Sequence, residues 1–370
     1  MNQFTIIGGG VMGLSLAWRL AKASMHVTLF EKGLCGCEIS GKAAGMITPA
    51  SEIRFGEEKI NNLFCYSLNI YDDFVKELLN DSKEDIDYHS HGALTVAIDQ
   101  DDQLELLRLH EFQKELGLET KLLSREEILS LEPFINPSAT LGLFAPKEKC
   151  LDNQKLVSAL KKAFIHCGGQ LYEQSQIDGI EIQNNRVQSI RIKNETLKVQ
   201  ELILTTGIHT QLEGLDLSFP IRPIKGQAFE VAIPVKELPK HPIRLIHRFP
   251  VYLVPRSDGR LVIGATSEEK GHDLTVTLGA LMDLMYGAWK IYPNCQEYEM
   301  LSTWAGLRAT APDHAPILGP TPIEGLHVAL GLYRHGILLT PIVSRLMTDW
   351  LLKKTMPELL VPFGFSRFKK

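Results

Sequence analysis

The sequence predicts an α/β chain, with a parallel-sheet unit at its N-terminus interleaved with a mixed, mostly antiparallel unit. Three observations predict it. Residues 4–31 read as strand, glycine turn, helix and second strand. Residues 174–266 read as successive strands joined by Asn-Asn, Lys-Asn and Asp-Gly turns. Strand and helix patterns return near the C-terminus with no Pro-, Gly- or Ser-rich linker in between. At 370 residues the chain is long enough for two cores.

The opening element is "FTIIGGGVMGLSLAWRLAKASMHVTLFEKG". Phe4 to Ile7 is a short apolar strand, "VMGLSLAWRLAKA" carries helical spacing, and "HVTLFEKG" is a strand ending in Glu31. Gly8, Gly10 and Gly13 fit G-x-G-x-x-G. In a Rossmann-like unit the first glycine allows the tight turn and the second admits a pyrophosphate. The third lets helix pack on strand. The helix N-terminus offers free N–H groups and a positive dipole end to phosphates. Glu31 can accept hydrogen bonds from a ribose, and its charge disfavours a 2′-phosphate. The motif leaves NAD and FAD both open.

After Glu31, "KGLCGCEISGKAAGMITPASE" is rich in small residues and reads as a loop. "KINNLFCYSLNIYDDFVKELLND" is helical, "HGALTVAID" a strand, and "SREEILSLEP" a short helix capped by Ser124. "NQKLVSALKKAFIHCGG" is an amphipathic helix stopped by glycines. "IRPIKGQAFEVAI" is a strand, "VYLVPRSDGRLVIGAT" a hairpin turning at Asp258-Gly259, "TLGALMDLMYGAWKIYP" a helix and "EYEMLSTWAGLRAT" a strand. "GLYRHGILLTP" reads as the mouth of an apolar helix. The closing "FSRFKK" reads as a solvated tail.

Composition narrows the function. A net charge of −5 gives no global positive field for nucleic acid or an anionic membrane. No stretch reaches the roughly 20 apolar residues of a membrane span. The chain enters its first strand without a basic or apolar leader, so a cytoplasmic protein is expected. The six cysteines (Cys35, Cys37, Cys65, Cys150, Cys167, Cys295) lack the spacing of a zinc site or disulfide framework, so reduced thiols and no metal are expected.

Six ordered blocks then carry a resemblance: "IIGGGVMG", "AAGM", "PIKGQ", "VYLVPRSDGRLVIGAT", "WAGLRATAPDHAPILGP" and "YRHGILLTP". Together they resemble the D-amino-acid oxidase (DAO) superfamily of FAD-dependent amine oxidases, in its glycine-oxidase branch, which serves thiamine biosynthesis. "GILL" favours that branch over the quinone-linked D-amino-acid dehydrogenases. The resemblance implies the DAO/glutathione-reductase-like superfold. It divides the chain into an FAD-binding domain at 1–80, 145–215 and 302–370 and a substrate-binding domain at 81–144 and 216–301.

It also implies a non-covalent FAD. Val11 and Met12 stand at the phosphate loop, Glu31 and Lys32 at the adenosine, and Ile177 on the adenine side. Ser40, Ala44, Gly45 and Met46 follow the pyrophosphate and flavin, while Thr206 and Gly207 close over the cofactor. The backbone Gly331, Leu332, Tyr333, Arg334, His335, Gly336, Ile337, Leu338 lines the isoalloxazine. Arg308 becomes the bidentate anchor of an amino-acid carboxylate, with Tyr252 donating to the same group and Arg334 adding positive field. For each, an internal salt bridge or core packing is the competing reading.

The implied reaction is oxidation of glycine or a small amino acid or amine, with oxygen as acceptor and hydrogen peroxide as product. A homo-oligomer is compatible. Sarcosine oxidation, a quinone-linked dehydrogenase and a non-catalytic FAD sensor are the alternatives. Several positions depart from the branch pattern: Gly41-Lys42 intervene before "AAGM", Ala309 replaces a proline, His314 a glycine, Leu332 a histidine and His335 an asparagine. These departures bear on substrate identity rather than reaction class.

Overall fold

A computed structural model describes residues 3–246 and 250–368. The first sheet has six strands. Gln3–Ile7 lies parallel between His26–Phe30 and Glu201–Leu204, with Gln170–Tyr172 outside the former and Leu326–Leu330 and Ile317–Pro320 outside the latter. The opening strand pair grows one way and the later strands add on the other side. The carboxyl end of Gln3–Ile7 therefore faces the crevice where strand order reverses, the usual place for a ligand in an open parallel sheet.

Helix Val11–Lys22 follows at once, and almost every residue of it is buried. It packs between Asn153–His166 and Gly336–Lys353. Trp18 is fully buried and keeps its indole N–H satisfied on Asp81 at 2.9 Å. The long helix Glu58–Ser82 lies against Gly336–Lys353, where the Tyr71 hydroxyl donates to the Ile337 carbonyl.

The second sheet has eight strands in the spatial order Glu299–Thr310, Arg222–Ala232, Arg260–Gly264, Val251–Pro255, Ile243–Leu245, Ala93–Ala97, Leu141–Ala145 and Lys121–Leu123. Its neighbours are antiparallel except Ile243–Leu245 with Ala93–Ala97. Glu299–Thr310, near whose start the expected boundary at 302 falls, pairs with Arg222–Ala232 over its length. A meander, Gly179–Gln183, Arg186–Ile192 and Glu195–Lys198, stands apart. Asn184 and Asn185 supply the left-handed turn the sequence called for, at φ +50° and +57°. Strand by strand, the chain visits the first sheet, the second, the first, the second and the first again, so the interleaving is complete.

Three expectations change. The small-residue stretch after Glu31 is not all loop. It forms short helices Ile39–Lys42 and Pro49–Glu52 and a strand Met46–Ile47 paired with Lys149–Cys150, because its small residues pack tightly enough to borrow that partner. Gln100–Glu115 is a helix outside the sequence expectations. Exposed Leu104 and Leu107 blur its apolar stripe, and a reciprocal capping box between Asp99 and Asp102 starts it. The C-terminal stretch is docked rather than solvated: Phe365 packs on Phe219 and Arg367 pairs with Asp313 at 2.8 Å. Lys369 and Lys370 lie outside the described residues.

Candidate active site

The glycine turn after the first strand is held by close packing. Gly8 has φ +111°, and a Cβ on Gly13 would fall 1.9 Å from the Gly8 carbonyl. Only glycine fits there. Thr205 ties the turn to the neighbouring strand by donating to the Ile7 and Gly8 carbonyls at 3.0 and 2.9 Å. Glu31 accepts from Gly9 N–H at 2.6 Å and from Gly33 N–H at 2.8 Å, so its carboxylate is fixed at the end of the second strand. Ser40 accepts from Val11 N–H at 3.1 Å.

A cleft of about 340 Å³ opens over this turn. Its walls bring together Gly8, Gly10, Val11, Met12, Glu31, Lys32, Ser40, Ile177, Thr206 and Gly207 with Gly331, Leu332, Tyr333 and Gly336 from the far end of the chain. Lys32 stands at the rim and is paired with Glu38 at 2.7 Å. Hydrogen bonding from His209, seconded by Lys32, holds the Glu38 carboxyl down at about 2.

A smaller chamber of about 100 Å³ adjoins the cleft and shares Val11, Ile39, Ser40, Tyr333 and Gly336 as walls. Ala44, Gly45, Met46, Tyr252, Arg308, Arg334 and Ile337 line it. Two glycines clear room for its polar groups. A Cβ on Gly226 would sit 2.4 Å from the Arg308 guanidinium, and one on Gly264 would sit 2.7 Å from the Tyr252 hydroxyl. Arg308 spends one N–H on the Thr266 carbonyl at 2.9 Å and forms no ion pair among the described residues. Burial pushes the Tyr252 phenol up, and the neighbouring Arg308 charge opposes that. Arg334 differs: it donates to the Glu52 carbonyl at 3.0 Å and is ion-paired with Glu57, while its Nη1 is sealed without a partner.

Gly13, His335 and Leu338 line neither space. Gly13 lies beneath the turn, and the Leu338 carbonyl accepts from Ser67. His335 packs on Phe64 with ring centroids 4.3 Å apart, and burial lowers its ring well below the usual imidazole range. The structure also brings in residues the sequence did not single out. Glu52 lines the chamber. Arg244 pairs across strands with Tyr252, and its Nε and Nη1 are sealed without partners. Behind them Glu148 is fully buried and accepts from Ser51 N–H at 2.7 Å, and burial pushes its carboxyl up to about 7. A lone arginine inside the apolar strand "PIRLI" was the available signal for Arg244. Glu52 sat in a stretch read as loop, and nothing local marked it.

The residues present fit FAD. Val11–Lys22 and Gly336–Lys353 both begin at this pair of cavities without a capping N-cap side chain; apart from Val11 N–H, held by Ser40, their first N–H groups are left for an acceptor. The Thr206 hydroxyl is buried in the cleft wall without a partner. An elongated nucleotide in the cleft would satisfy these groups.

Comparison with known proteins agrees. A family model described as FAD dependent oxidoreductase (DAO) matches residues 3–350. A glycine oxidase of Geobacillus kaustophilus is 30% identical over 366 residues, which cover 98% of this chain and 96% of the relative. A bifunctional protein ThiO/ThiG of Trichormus variabilis is 30% identical over 370 residues; the chain spans 55% of that relative's length. Among solved structures, glycine oxidase from Geobacillus kaustophilus superposes with a TM-score of 0.91 at 28% identity, covering 100% of both chains. L-proline dehydrogenase from P. horikoshii shares the fold, with a TM-score of 0.85 at 23% identity over 99% of this chain and 97% of its own.

Proposed function

The chain belongs to the DAO family of FAD-dependent oxidoreductases, and from that premise we propose that its chamber oxidises glycine or a comparably small amino acid. It is a FAD-dependent amino-acid oxidase. The observation that carries the substrate reading is Arg308, a guanidinium that forms no ion pair among the described residues, on the wall of a chamber that opens to the nucleotide cleft. A charge so placed is costly unless a ligand supplies the acceptor, and a planar fork suits a carboxylate. The chamber's volume of about 100 Å³ favours a small side chain.

The glycine turn, Glu31, Thr206 and the two helix N-termini would hold FAD, which supplies the two-electron acceptor when bound. Arg308 and Tyr252 would then seize the substrate carboxylate and fix the Cα–H toward the ring. Positioning of this kind contributes a large part of catalysis without any proton relay. Tyr333 and Gly336, walls of both spaces, would shield the reacting centre from water. Arg334 is committed to Glu57, so it would contribute field rather than a direct contact.

The same reading includes oxygen as acceptor, a place in thiamine biosynthesis, a cytoplasmic setting and assembly into homo-oligomers. Among the described residues no helix is long and apolar enough to cross a membrane. The deciding experiment mixes the yellow purified protein anaerobically with excess glycine and follows the visible flavin band. Rapid bleaching, with hydrogen peroxide formed on readmitting air, is expected. A protein that stays yellow with glycine and with sarcosine would sink the substrate reading.

A further inference from the structure

Among the described residues, Glu52 is the one carboxylate lining the chamber that holds Arg308 and Tyr252. It ends the short helix Pro49–Glu52, directly after the "AAGM" stretch that forms another wall. Cations surround it. Lys42, Arg308 and Arg334 share its chamber, and Glu52 is the largest opposing charge felt by buried Arg244. None of them takes its carboxylate. Arg334 uses the Glu52 backbone carbonyl and gives its ion pair to Glu57 instead. The Glu52 side chain accepts only from the Thr48 hydroxyl, at a long 3.3 Å, and forms no ion pair among the described residues.

A half-buried anion that nearby guanidiniums do not neutralise is expensive unless a ligand brings the partner. The chamber thus presents two unsatisfied charges of opposite sign, Arg308 and Glu52. We propose that Glu52 receives the substrate's ammonium group while Arg308 and Tyr252 hold its carboxylate. This inference rests on the substrate reading above and deepens it. The chamber would recognise a zwitterion as a zwitterion, selecting primary and secondary α-amino acids over α-hydroxy acids and simple carboxylates of the same shape. Arg244, paired across strands with Tyr252, would place a further positive charge behind Glu52.

The test uses ligands that cannot turn over. 2-Aminoisobutyrate has no Cα hydrogen, and isobutyrate lacks the amine. Calorimetry on the FAD-loaded protein measures both, with the flavin band confirming the loaded state. In the wild type the amine should add affinity. Glu52→Gln should cut that advantage about ten- to hundredfold, the worth of a charge-assisted hydrogen bond, and leave isobutyrate binding unchanged. If the Gln protein loses its flavin, Glu52→Asp should show the same selective loss, smaller in size. An amine advantage unaltered by either variant would overturn the assignment while leaving Arg308 in place. Wild-type protein that binds neither ligand would overturn the carboxylate pocket itself, and this inference with it.

Discussion

The cleft over the first sheet and the chamber over the second are built by opposite means. In the cleft the work falls to main chain: a glycine turn, uncapped helix starts, and one fixed acid, Glu31. In the chamber it falls to side chains: Tyr252, Arg308, Glu52 and Arg334, drawn from segments up to 282 residues apart. Backbone recognition demands a particular local conformation and therefore writes a compact motif. Side-chain recognition demands only that distant positions converge, and leaves no local trace.

The contrast can be broken by substitution. Gly13→Val places a side chain against rigid backbone, where even a Cβ would meet the Gly8 carbonyl at 1.9 Å. Overpacking of this kind costs about 1–3 kcal/mol or more. The purified protein should be colourless and should melt earlier by calorimetry. Retention of flavin would refute the backbone-cradle account. Arg308→Met should do the reverse, keeping the yellow colour while kcat/KM for glycine falls by about 10²–10³-fold, as for loss of one partner of a buried charged contact. Unchanged kinetics would remove Arg308 from the site.

Smaller effects sharpen the picture. The folded Glu148 carboxyl keeps its proton to about 7, against an ordinary 4.5. Its contribution to stability is therefore full below 4.5 and fades as pH rises through about 7, amounting to about 3 kcal/mol across that window. Glu148→Gln should flatten that part of the pH–stability curve in denaturant titrations; an identical slope would show that buried Glu148 is not the group titrating there. Smallest of all, Ser124→Ala removes the cap that accepts from Glu127 N–H at 3.3 Å. It should lower stability by about 1 kcal/mol and leave the kcat for glycine untouched.

The same division explains what was legible beforehand. Gly8, Gly10, Gly13 and Glu31 could be read mechanistically from residues 4–31 alone, because each answers a local steric or hydrogen-bonding demand. Ser124 and the Asn184-Asn185 turn were equally plain. Arg308 and Tyr252 drew attention only through resemblance, since an arginine ending one strand and a tyrosine beginning another carry no mutual signal. Glu52 escaped because its neighbours looked like connecting loop. Arg334 illustrates a subtler gap: a positive charge near the substrate anchor was expected, but its ion pair with Glu57 was not.

The interleaving of the two sheets sets a timetable for the growing polypeptide. Gln3–Ile7 leaves the ribosome about two hundred residues before its lateral neighbour Glu201–Leu204. Leu326–Leu330 and the Gly331–Gly336 wall come later still. At roughly 5–20 residues per second the nascent chain spends on the order of tens of seconds with its nucleotide turn made and half its cleft missing. If FAD occupies this cleft, its loading would follow the emergence of residues 331–336. A ribosome stalled before codon 330 would carry a product with its nucleotide turn made and unable to turn yellow.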